Sequence, residues 1–189
     1  MKKIIFFFLI SISPLMSNGQ GLIVENDSLI LWQKERLLTW EDFIKKGEKP
    51  KDIHLIHQVA ETVPEMMVFY IKDDKGNENP VPLCYFQKYS SWSVTSDKET
   101  LEHEQLHFDI MELYTRKLRK KFKELLSLDA YTTSETFNYW VNKVFLECKN
   151  IQDKYDEEAL LNYPKQQEWR KCIDKELEEL KEYEFIPKQ

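Results

Sequence analysis

The amino-acid sequence predicts an α+β fold, a small antiparallel sheet in the N-terminal half followed by a helical half. Three observations carry this. Residues 22 to 95 contain short runs rich in β-branched and aromatic residues, bounded by turn formers. Residues 96 to 185 show helical periodicity, and no Gly or Pro interrupts Asp97 to Leu126. No internal repeat or low-complexity linker divides the two halves, and strands followed by helices are the α+β pattern.

The elements follow in order. Lys2 and Lys3 precede an apolar run, Ile4 to Ile12, which Ser13, Pro14, Ser17, Asn18 and Gly19 break. That is the layout of a secretory signal peptide over residues 1–19, cleaved near Gly19-Gln20, with a run too short to span a bilayer. A single domain is expected over residues 20–189, exported, with no stable membrane insertion after cleavage. Ser28 to Trp32 reads as a short strand. Thr39-Trp40-Glu41-Asp42-Phe43 reads as a helical turn capped by Thr39. Val63 to Ile71 and Val81 to Gln87 read as strands joined by the turn Asp73-Asp74-Lys75-Gly76-Asn77, where Gly76 and Asn77 tolerate positive φ. Ser90 to Val94 adds another. Ser96 and Glu99 form a capping box for a long helix. A second helix starts at Ser134 and reaches about Lys154, and a third opens at Pro164 and runs to about Tyr183.

Loss of Lys2 and Lys3 takes the formal charge from -6 to -8. An acidic chain disfavours nucleic acid and anionic lipid as partners. The basic run Arg116 to Lys123 and the acidic stretch Asp174 to Glu184 read as solvated helix faces. Cys84, Cys148 and Cys172 allow one disulfide and one free thiol, with Cys148 and Cys172 able to pair if their helices pack. None has metal-site spacing. Trp32, Trp40, Trp92, Trp140 and Trp169 are scattered at core-like positions, which favours packing over a carbohydrate-stacking role.

The long helix carries His103-Glu104-Gln105-Leu106-His107, an H-E-x-x-H pattern. At about 100° per residue, His103 and His107 lie about 40° apart on one face. Both imidazoles can reach one metal, and Glu104, about 60° further round, can reach a water without binding the ion. His103 and His107 share a sector with Ile110, Met111, Tyr114, Leu118 and Leu125, whereas Glu102, Gln105, Asp109, Glu112, Arg116, Arg119 and Lys123 lie opposite. The motif therefore faces inward. The third ligand must come from another element. No His follows His107; His54 and His57 precede it, and Glu135, Glu147, Asp156, Glu157 and Glu158 are the downstream carboxylates. Tyr114 and Tyr155 are weak candidates for an oxyanion donor. Asp109 points away from the metal face, as a surface or supporting group.

Leu38-Thr39-Trp40-Glu41-Asp42-Phe43, Leu101 to Glu112, Tyr155-Asp156-Glu157-Glu158 and Gln167-Glu168-Trp169 resemble features of the bacterial predicted secreted zinc-dependent proteases grouped as domain of unknown function 922. The resemblance spans most of the chain after residue 19 and is most specific at the H-E-x-x-H helix. It implies a zincin-like peptidase fold, Zn²⁺ on His103 and His107, a catalytic Glu104, a peptide or protein substrate and a periplasmic or secreted location. That family follows Y-D-x-E with T-x-H-G, whose His is a natural third ligand; here Leu161 stands in its place. Glu158 or another carboxylate replaces it, or the site is degenerate. Two functions remain in view: an exported zinc-dependent metallopeptidase, or a non-catalytic exported binding module on the same fold.

Overall fold

The structure, a computed structural model, describes residues 22–47, 58–73, 75–127 and 133–187. The expected signal peptide over 1–19, the turn residue Asp74, and His54 and His57 lie outside the described residues. The N-terminal half forms strands β1 (Leu29–Leu31), β2 (Lys45–Lys46), β3 (Ala60–Glu61), β4 (Pro64–Lys72), β5 (Glu78–Gln87) and β6 (Trp92–Ser93). The C-terminal half forms helices α1 (Lys98–Ser127), α2 (Ser134–Ala159) and α3 (Tyr163–Glu179). The fold is α+β, as the sequence predicts.

The main sheet is antiparallel with order β1-β5-β4. Its hairpin turns where expected. The Gly76 N–H donates to Asp73 O at 2.9 Å, and Gly76 has φ +83°. Of the two turn residues able to take positive φ, only Gly76 does so. Strand β5 starts earlier than Val81 despite Pro80 and Pro82. Their missing N–H groups fall on the side away from β4, beyond the reach of β1, which pairs only with Tyr85 to Gln87. There they cost no ladder bond. Period-2 alternation then divides the sheet. Ile30, Met66, Cys84 and Phe86 join the large core, while Leu31, Leu83 and Tyr85 form a second cluster with Phe69 and Phe185. A smaller sheet, β2-β6-β3, has a parallel and an antiparallel pair. Two-residue strands carry no readable period, so β2 and β3 escape a sequence reading.

Helix α1 packs against the sheet, α2 and α3. Its cap is Asp97, whose carboxylate accepts from the Thr100 N–H at 2.7 Å, rather than the expected Ser96–Glu99 box. The face opposite the histidines is not solvated. Gln105, Asp109, Glu112 and Arg116 are all buried, at three- and four-residue spacing. Gln105 accepts from the Leu38 N–H at 2.7 Å and donates to Asp109 at 2.9 Å. Asp109 also accepts from the Trp32 indole at 2.8 Å and pairs with Arg170 of α3. Glu112 holds Arg116 at 2.9 Å and Arg119 at 2.8 Å. Arg116 reaches Leu177 O and Glu184, and Arg119 reaches Pro82 O. The start of the basic run is thus an internal clamp, not a surface face.

Helix α2 is capped by Thr133 and continues past Lys154 to Ala159. Asn162 caps α3, with Pro164 in its first turn, and α3 ends at Glu179 before a short 3₁₀ turn over Lys181–Tyr183. Cys84, Cys148 and Cys172 are all free. The possible Cys148–Cys172 pair does not form, with Cys148 buried against Met111 and Cys172 exposed on α3.

Glu112→Ala leaves two guanidinium groups facing each other without their shared carboxylate. We expect a loss of about 3–5 kcal/mol, read from urea denaturation; a loss within experimental error of zero would refute the clamp.

Candidate metal centre

The first turns of α1 and the last turn of α2 build one site. Asp97 sets the start of α1, so His103 and His107 emerge one turn apart on the side facing α2. On α2 the inward stripe is Val141, Val144, Cys148, Tyr155 and Ala159. Asp156 lies about 40° from Gln152 on the wheel, and Glu158 about 120° away on the other flank. The helix pitch therefore selects Asp156 from the downstream carboxylates.

His103 Nε2 lies 3.2 Å from Asp156 Oδ1, and His107 Nε2 lies 2.9 Å from the same oxygen. The two Nε2 atoms are 3.1 Å apart. His103 is buried, His107 half-buried, and the Asp156 side chain 52% exposed. Among the described residues these three form a group able to hold a metal ion. Four ligands placed tetrahedrally at about 2.0–2.1 Å lie about 3.3–3.4 Å from one another, so the triangle is close to the required size and slightly contracted.

The hydrogen bonds fix the tautomer of His107. Gln152 Nε2 donates to His107 O at 2.9 Å, so its amide is oriented and Gln152 Oε1 faces His107 Nδ1. Nδ1 must carry the proton, which leaves the Nε2 lone pair directed at Asp156 and His103. Lone pairs converging at this distance repel unless a cation lies among them. In metal-free protein that cation is a proton. Burial opposes charge on His107, but the Asp156 carboxylate outweighs it and raises the pKa from 6.5 to about 9. Burial likewise opposes ionisation of Asp156, and His107 and His103 overcome it to hold the carboxyl below its usual range.

Tyr155 stacks on His103 with centroids 4.5 Å apart and meets His107 edge-on at 4.9 Å. It is fully buried and its hydroxyl faces His103 O at 3.5 Å, so it holds the rings in place rather than waiting for an oxyanion. Tyr114 is buried in the core beneath Lys117. Glu104 is buried, and its Oε2 accepts from the Thr62 N–H at 2.6 Å. That bond ties the loop after β3 to α1.

The remaining candidates fall elsewhere. Glu158 accepts from the Trp169 indole at 3.0 Å and pairs with Lys154 and Lys165. Glu135, Glu147 and Glu157 are exposed and outside the group. Leu161 is 81% exposed, in a left-handed conformation at φ +59°, between α2 and α3. Asp109 is buried in the polar network of α1 rather than on its surface. Sequence reasoning missed Gln152, Thr62 and Glu61. Burial raises the pKa of Glu61, the Trp92 indole bond opposes this at 2.7 Å, and the charge of Glu104 adds to the rise. Gln152 had a legible signal, the stripe of α2. Thr62 and Glu61 had none, because a two-residue strand and the loop after it bring them in.

No family model matches the chain, no curated protein matches it, and no solved structure matches it.

Two outcomes are expected. A pKa raised above 6.5 stabilises the fold fully below pH 6.5 and ceases to do so as the pH rises through about 9. The depressed Asp156 contributes above its ordinary value of 3.8 and is lost on acidification. In chelator, the urea midpoint of the wild type should fall between pH 6.5 and 9, and Asp156→Asn should flatten that slope; parallel slopes would contradict the assignment. Gln152→Ala should weaken metal binding about 10–100-fold with the fold retained, measured by competition with a chromophoric chelator.

Proposed function

We propose that the chain is an exported zinc-dependent hydrolase, a metallopeptidase, in which Glu104 is the general base. One observation carries this reading: Asp156 completes a triad with His103 and His107, beside a buried carboxylate that is not part of it. Two imidazoles and one carboxylate are a donor set found in catalytic zinc sites, which keep a fourth position open. The half-exposed Asp156 leaves the triad reachable from solvent. The resemblance of the H-E-x-x-H helix to secreted zinc-dependent proteases supports the same class, substrate and location.

Zinc bound there would act as a Lewis acid and acidify a water. The chain's own residues do the rest. His103 and His107 offer neutral Nε2 atoms, with His107 held by Gln152. Tyr155 fixes both rings. Glu104, anchored through Oε2 by Thr62, presents the rest of its carboxylate to accept a proton from water and return it to the leaving amine. An anchored base costs little reorganisation in the transition state.

The rival reading, a binding module on a degenerate fold, rests on Leu161 in place of a histidine. Asp156 offers a third donor, which favours the hydrolase.

Purified protein should hold one zinc per chain by elemental analysis. Glu104→Gln should abolish peptide hydrolysis while zinc content and thermal midpoint stay unchanged. Full activity in that variant would sink the mechanism, and absence of zinc with no response to chelation would sink the class.

A further inference from the structure

Thr62 is 5% exposed, and its hydroxyl has no hydrogen-bond partner among the described residues. A buried hydroxyl without a partner is a rare cost in a folded protein. The adjoining backbone bounds its distance from Glu104. The Thr62 N–H is 2.6 Å from Glu104 Oε2, and a threonine Oγ lies within about 3.7 Å of its own nitrogen by covalent geometry. The idle hydroxyl is therefore within roughly 6 Å of the carboxylate. The same short segment is held on three more sides. Ala60 and Glu61 pair with β6, the Glu61 carboxylate takes the Trp92 indole, and the Val63 N–H donates to Ser91 Oγ at 3.0 Å. Ties at residues 60, 61, 62 and 63 hold this backbone against α1 and β6.

We propose that the Thr62 hydroxyl is a reserved hydrogen-bond group for an oxygen atom of the ligand on which Glu104 acts. This rests on the hydrolase reading above. One residue then serves the site twice: its amide orients the base and its side chain meets the reacting oxygen. The ligand class is one with a carbonyl-type oxygen, such as a peptide or a hydroxamate, held at the triad of His103, His107 and Asp156. The energetic signature is a trade between stability and binding, because an unpaired polar group in the resting protein is favourable only when the ligand arrives.

The test uses zinc-loaded wild type, Thr62→Val and Thr62→Ser with acetohydroxamic acid as probe, measured by calorimetry, together with zinc content and thermal midpoints. Val keeps the shape and removes the hydroxyl. We expect Thr62→Val to bind the probe about 10-fold more weakly, a net loss typical of one hydrogen bond, with zinc content unchanged and the thermal midpoint equal or higher. Thr62→Ser should restore affinity. Equal affinity in wild type and Thr62→Val overturns the proposal. So does a thermal midpoint lowered by several degrees in Thr62→Val, which would make the hydroxyl structural. A wild type that takes up zinc but binds no probe also overturns it, since no ligand position then lies beside Thr62. A wild type that takes up no zinc overturns the metal centre itself, and this proposal with it.

Discussion

Everything in this fold leans on the middle of α1, from His103 to Leu118, being buried on nearly every side. A helix in that position must satisfy every polar side chain it carries, and α1 carries many. Gln105, Asp109, Glu112, Arg116 and Arg119 form a ladder whose partners come from the N-terminal segment, β5, α3 and the turn after it. Each such bond is modest on its own, but a missing partner would leave a buried charge, which is far more costly. The ladder therefore forces Trp32, Leu38, Arg170 and Glu184 to converge on one helix. Because those residues come from distant parts of the chain, the fold cannot form in pieces that ignore α1.

The other face of the same helix is left for the site. His103 and His107 lie on the stripe that meets α2, and α2 returns Gln152, Tyr155 and Asp156 to them. The rings are restrained by a hydrogen bond behind His107 and by an aromatic face beside His103. Only the Nε2 atoms remain directed forward. Such restraint pre-shapes the two imidazoles, which have little rotamer entropy left to lose on binding.

Much of this is legible from sequence. The H-E-x-x-H spacing, the inward stripe with Ile110 and Met111, the β4–β5 hairpin around Gly76 and the start of α2 at Ser134 all follow from local periodicity and turn chemistry. What escapes is non-local. Gln105, Asp109 and Arg116 look like solvent residues because polarity alone cannot reveal a partner 60 or more residues away. Asp156 is one of several nearby acids until the length of α2 is known. Glu61 sits on a strand too short to have a pattern, and Thr62 lies in the loop just after it. The position of Leu161 illustrates the limit of motif transfer: a missing ligand at one place says nothing about a donor supplied one turn earlier.

The exposure of Asp156 has a consequence for assembly. His103 lies deep, but the carboxylate that closes the triangle stands at the mouth, half in water. An ion arriving from solution would meet Asp156 first and could trade its hydration shell one ligand at a time, carboxylate and then imidazoles. The ladder on the far side of α1 uses none of these three residues. An ion taken up by this group could therefore enter after folding, with no need to unpack the interior.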